Sequence, residues 1–152
     1  VGIAWAGSPD NKIDRRRSCE AGHFADLLGR ADVDVVSLQT GPRAQDLAHR
    51  RPPNLVCEIQ GHVGDWAETA QVVAQLDLVV TVDTAVAHLA GAMGKPTWIL
   101  LPFSPDFRWL MASEATPWYG AVRLFRQRLR GDWTGLFATV GEALTVWRQK
   151  QS

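Results

Sequence analysis

The stretch Leu78-Val79-Val80-Thr81-Val82-Asp83-Thr84-Ala85-Val86-Ala87-His88-Leu89-Ala90-Gly91-Ala92-Met93 decides the fold. It opens on an apolar, β-branched run, Leu78 to Val82, which suits a strand buried on both faces of a parallel sheet. Asp83 and Thr84, both N-cap-type residues, break the run. Val86, Leu89, Ala90 and Met93 then recur at helical spacing. A helix that starts at the carboxyl end of a parallel strand aims free N–H groups and its positive dipole end at the ligand crevice. Thr84 and His88, four apart, share one side of the first turn. Hydroxyl, imidazole and free amides together suit an anion such as a phosphate. The plainer alternative is that Asp83 only caps the helix and His88 is a satisfied core histidine.

Working outward, the remaining apolar runs alternate with helical patterns. Strands are expected at Val1 to Ala6, Val33 to Leu38, Leu55 to Ile59, Thr97 to Leu101 and Val122 to Phe125. A helix with Phe24, Leu27 and Leu28 on one face follows the first strand, and Ser18 is expected to cap it. Between them lies a polar loop, Asp10 to Arg17, with three arginines: Arg15 and Arg16 read as solvated charge, and Arg17 as the better ligand candidate. A short helix around Arg43 to His49 is ended by Pro52 and Pro53. Asp65 and Glu68 form a capping box before a helix marked by Trp66, Ala70, Val73 and Leu76. Phe137, Val140, Leu144 and Trp147 mark the last helix. The alternation predicts an α/β domain: a Rossmann-like parallel sheet of about six strands with helices on both faces. The long segment Pro102 to Gly120 is the one irregular stretch. Its Phe103, Phe107, Trp109, Trp118 and Tyr119 either wall a cleft or cover the sheet edge.

Composition bounds the function. The 152 residues fit a single domain, 1–152. Sixteen basic residues balance sixteen acidic ones, which argues against a nucleic-acid or membrane-surface binder. No apolar run approaches the roughly 18 residues of a membrane span. Cys19 and Cys57 make no disulfide framework and read as free thiols in a reducing, cytoplasmic compartment. The chain opens at Val1 directly on a strand, without leader or initiator Met, which reads as a fragment of a longer polypeptide.

Several chemistries are disfavoured. No G-x-G-x-x-G follows the first strand, Pro96 spoils a P-loop at Gly94-Lys95, and there is no G-x-S-x-G. Cys19 with His23 and Cys57 with His62 lack the partners of a zinc site, so neither metal nor cofactor is expected.

The pieces Val1-Gly2-Ile3-Ala4-Trp5-Ala6-Gly7, Asp14-Arg15-Arg16-Arg17-Ser18, Val36-Ser37-Leu38-Gln39, Val82 to Ala90, Gly94-Lys95-Pro96, Pro105 to Trp109 and Pro117-Trp118-Tyr119 occur in this order. Together they resemble the carboxy-terminal half of glycosyltransferases related to the ADP-heptose–lipopolysaccharide heptosyltransferases, closest to versions fused behind TPR repeats. The D-T-x-x-x-H-L-A block is the most specific part. The resemblance implies one half of a GT-B fold that holds a nucleotide-diphosphate sugar. Asp83, Thr84, Ala85 and His88 would hold the diphosphate, and Arg17 with Ser18 would match the family's basic position. Gly7 would allow close backbone approach, and Gln39 would lie near the ribose or base. The resemblance also implies a missing amino-terminal acceptor domain that carries the catalytic base. The chain alone would then bind nucleotide without transferring sugar; a non-catalytic binding or interaction module of the same fold is the alternative.

Overall fold

A computed structural model describes residues 1–29, 32–111 and 113–151. Six strands form one parallel sheet: β1 Gly2–Ala4, β2 Val35–Ser37, β3 Leu55–Glu58, β4 Val79–Val82, β5 Thr97–Leu101 and β6 Val122–Arg126, in the order β3-β2-β1-β4-β5-β6. This is the doubly wound order whose ligand crevice lies outside the carboxyl ends of the strands, where the order reverses between β1 and β4. Every residue of β4 and β5 is buried, as near-continuous apolar strands flanked on both sides require.

The helices are α1 Asp14–Arg17, α2 Ala21–Leu28, α3 Trp66–Ala74, α4 Ala85–Ala92 and α5 Trp133–Gln149. On one face, Ile3, Trp5, Val80, Val82 and Leu100 pack with Phe24 and Leu28 of α2 and with Phe137, Val140 and Leu144 of α5. On the other, Ala4, Leu38 and Val79 meet Val73 of α3 and Val86 and Ala90 of α4. Further along that face, Ala87 joins Ile99, Leu101, Trp109 and Leu124. Of the two readings of the long segment 102–120, covering of the sheet edge holds for Trp109. Trp109 is fully buried over the β5–β6 end, while Phe103, Phe107 and Trp118 remain exposed.

Four local expectations change. The loop before α2 contains a one-turn helix, α1. Ser18 does not cap α2; its hydroxyl accepts from Gly7 N at 3.1 Å, and the cap position falls to Glu20, which makes no side-chain cap bond. The helix near Arg43 is a 3-10 turn, Pro42–Leu47. At α3, Asp65 accepts from Glu68 N at 2.8 Å as a capping box demands, but Glu68 reaches back to Gly64 N rather than to the cap's own amide.

Candidate functional site

The crevice is built from the turns after β1, β4 and β5. β4 ends at Val82, and Thr84 is the first non-helical residue before α4, with φ −133° and ψ 172°. α4 leaves its first N–H groups, Ala85 and Val86 among them, without intrahelical acceptors. Thr84 does not cap through its hydroxyl, which pairs with Thr81 Oγ1 at 3.2 Å. Asp83 does not cap either, contrary to expectation. Its side chain is buried and its Oδ1 has no hydrogen-bond partner, but it stands 3.8 Å from His88 Nε2.

His88 is half-buried rather than a closed core residue. Its ring stacks on Trp109 with centroids 5.2 Å apart, and Nδ1 lies 2.9 Å from the Tyr119 hydroxyl. Burial first, then the nearby Arg108 and Arg17 guanidiniums, push its pKa below the ordinary 6.5, against the pull of Asp83 and Asp106. The ring is therefore neutral at pH 7, with one nitrogen donating and one accepting. Nε2 stands 3.8 Å from Asp83 Oδ1, beyond hydrogen-bond reach, and the direction of the Nδ1–Tyr119 hydroxyl bond depends on the tautomer. His88 thus presents a neutral imidazole to the turn, held by the Trp109 ring and the Tyr119 hydroxyl.

Tyr119 reaches His88 because Gly91 is a glycine. A β-carbon there would lie 2.8 Å from Tyr119 Cγ. The segment that carries Tyr119 and Trp109 is tied down by Arg126, whose Nη2 donates to the carbonyls of Trp109 and Ser113, and by Trp118 Nε1, which donates to Arg108 O at 2.9 Å.

Arg17 lies in the same neighbourhood. Its Nε stands 3.3 Å from Asp14 Oδ1, with 14% of its side chain exposed. Gly7 makes room for this pair: a β-carbon would collide with the Arg17 guanidinium and come within 2.5 Å of Asp14 Oδ1. Ser18 holds Gly7 in place through its amide. Gln39 is a different kind of residue. Its Oε1 accepts from Trp5 N and Ala6 N at 3.0 and 2.9 Å, and its Nε2 donates to Ala6 O and Thr40 O, both at 3.1 Å. Four bonds saturate a carboxamide, so Gln39 clamps the end of β1 and has no polar capacity left for a ribose or base.

Sequence reasoning missed Arg108 as a cation of this site. It overlooked too a cavity of about 600 Å³ beside the first turn of α4. Leu38, Ile59, Val63, Trp66 and Val86 form its apolar part, and Gly41 and Gln60 its polar rim. Arg108 lay within the quoted Pro105 to Trp109 piece; the cavity gives no local signal, because four separate elements line it. Asp106, the one carboxylate of the long segment weighed as a base, accepts from Arg108 N at 3.1 Å and Arg108 Nε at 2.7 Å, which holds its carboxyl below the usual range. Among the described residues no cluster of three His, Cys, Asp or Glu side chains is placed to hold a metal, and no helix is long and apolar enough to cross a membrane.

Residues 24–101, half of the chain, match glycosyltransferase family 9 (heptosyltransferase). The chain belongs to glycosyltransferase family 9. Its match covers β2 through β5 and the whole Asp83–His88 turn. The Escherichia coli heptosyltransferase WaaC, solved with ADP, superposes with a TM-score of 0.65 at 15% identity, over 99% of this chain and 44% of that one. E. coli ADP-heptose lps heptosyltransferase II gives 0.67 at 20% identity, over 99% and 47%. At these identities the likeness establishes the fold, a family 9 sheet with its helices. Protein FlbA of Caulobacter vibrioides is 31% identical over 150 residues, 95% of this chain and 24% of FlbA. The chain therefore spans about a quarter of that relative and under half of either heptosyltransferase.

Proposed function

We propose that this family 9 chain is the nucleotide-sugar-binding half of a GT-B glycosyltransferase. The observation that carries the reading is the convergence at one strand-to-helix turn of free α4 amides, the neutral His88 imidazole and the Arg17 and Arg108 cations. The donor's diphosphate lies over Thr84 and Ala85. There it accepts from the amides and His88 Nε2 while the two guanidiniums balance its charge. As the glycosidic bond breaks, charge grows on the departing diphosphate, and donors already in place stabilise it at little reorganisation cost. The base and ribose fill the neighbouring cavity against Leu38, Ile59 and Val86. WaaC, of the same fold, was solved with ADP, which supports a nucleoside diphosphate here.

The resemblance implies that the acceptor site and the catalytic base belong to an amino-terminal half. Within this chain, Asp106 is committed to Arg108 and is a poor base. The chain by itself therefore binds nucleotide and transfers no sugar, which is also what a non-catalytic binding module would do. The two readings separate when the chain is joined to its amino-terminal half and assayed for transfer.

The binding claim is tested by titrating the chain with ADP, UDP and GDP while following backbone amide NMR signals. At least one diphosphate should shift Thr84 and Ala85, and Arg17→Ala should weaken it about tenfold, the effect of losing one charged hydrogen bond. If none of the three moves that turn, the assignment is wrong. Release of nucleoside diphosphate by the isolated chain, abolished by Asp106→Asn, would show that the base lies in this half after all.

A further inference from the structure

The three arginines of α1 part company. Arg17 turns inward to Asp14, whereas Arg15 and Arg16 turn to a separate cleft between the loops after β1, β5 and β6. That cleft, about 280 Å³, is lined by Arg15, Arg16, Arg130, Gln127, Phe103 and Trp133, with Pro102, Ser104 and Gly131 between them. No carboxylate lines it. Among the described residues none of its three arginines takes part in an ion pair. Three guanidiniums around one small cavity repel one another unless an anion sits between them.

Gln127 ties together the loops after β5 and β6 that wall the cleft. It is 5% exposed, and its Oε1 accepts from Phe103 N at 3.2 Å and Gly131 N at 3.0 Å. Both partners are donors, so the oxygen end of the carboxamide is assigned by its bonds. The Nε2 end is buried with no acceptor. That nitrogen has no surface open to the cleft, so a ligand there meets the arginines rather than the Gln127 amide. The cleft also meets the start of α5, where Asp132 already caps the helix by accepting from Gly135 N at 2.8 Å, so the field in the cleft comes from the arginines. At about 280 Å³ the cavity falls at the lower limit of ligand pockets, roughly 300–1,000 Å³. It suits a single ring, with Phe103 and Trp133 for its apolar edges, and is too small for a nucleotide.

We propose that this cleft is a second oxyanion site, which binds the phosphate or carboxylate of a monosaccharide-sized ligand apart from the His88 turn. The proposal stands on residues that the His88 site does not use, so it does not depend on the reading of that site.

The test is NMR of the chain at low salt with three probes: glucose 6-phosphate, glucuronate and, as the neutral control, glucose. The Gln127 side-chain amide and the Trp133 indole N–H report on the cleft. One or both anions should shift them and glucose should not; the difference between the two anions tells phosphate from carboxylate recognition. Saturating ADP should leave the shifts in place. The exposed triple variant Arg15→Gln, Arg16→Gln, Arg130→Gln, which removes no core contact, should weaken the anion at least tenfold. The proposal is overturned if glucose shifts the reporters as the anions do, if neither anion shifts them, if ADP abolishes the shifts, or if the triple variant binds as tightly as the parent.

Discussion

Tyr119 lies against the backbone of Gly91, with Cγ 2.8 Å from where a β-carbon would stand, and from there its hydroxyl reaches His88 Nδ1 at 2.9 Å. One missing methyl on α4 therefore sets the orientation of the imidazole one turn earlier. In a helix interior, alanine is ordinarily about 1 kcal/mol better than glycine. Here overpacking opposes it by about 1–3 kcal/mol. Gly91→Ala should destabilise the chain in urea unfolding, and the same change should become stabilising in a Tyr119→Leu background. A stabilising Gly91→Ala in the parent would mean that Tyr119 does not hold this position.

The depressed pKa of His88 carries a sign in pH. The unfolded ring titrates near 6.5 and the folded ring lower, chiefly because burial disfavours the charged form. Between the two values the unfolded state binds more protons, so stability rises with pH in that window. The contribution is complete above about pH 6.5 and is lost as pH falls through the folded value. Urea midpoints should fall between pH 7 and pH 5, and the fall should be smaller in His88→Gln. Equal slopes in the two proteins would remove His88 as the cause.

Gln39 ties the end of β1 to β2 by three hydrogen bonds, to Trp5 N, Ala6 N and Ala6 O, and makes a fourth to its neighbour Thr40 O. Gln39→Leu leaves those backbone groups buried and unpaired, at about 1–3 kcal/mol for each that water cannot reach. The variant should lose several kcal/mol of stability. Gln39→Glu, which keeps the acceptor and loses the donors, should fall between. Thermal unfolding of both measures this, and a Gln39→Leu protein as stable as the parent would return the residue to the ligand.

The two cysteines differ in environment. Cys19 is buried and burial drives its thiol well above the ordinary range, whereas Cys57 is exposed on the β3 edge. The thiolate is the reactive form, so a thiol reagent should modify Cys57 alone in the native chain and Cys19 only on unfolding. Replacing Cys57 with Ser should leave nucleotide binding unchanged; a loss of binding with the fold intact would give that thiol a role.

The sequence by itself determined the parallel α/β class, the place of each strand and the strand-to-helix turn at Asp83-Thr84-Ala85. Those follow from period and punctuation: a four- to five-residue apolar run reads as a buried strand wherever it lies, and cap-type residues after it mark the turn. The roles within the turn were decided only by the tertiary structure. Asp83 and Ser18 look like helix caps in sequence, yet Asp83 lies beside His88 Nε2 and Ser18 accepts from Gly7 N on the preceding loop, because other donors compete with the local N–H groups. Gln39 was legible as a polar residue at a strand end, but its saturation by Trp5, Ala6 and Thr40 depends on β1 and β2 lying side by side. Arg15, Arg16 and Arg17 are consecutive in sequence. One turn of helix sends Arg17 to Asp14 and the other two to the cleft, and only side-chain direction separates them. Local pattern encodes elements because it reflects backbone preference and burial; a site is made of contacts between elements, and those exist only once the sheet has ordered its strands.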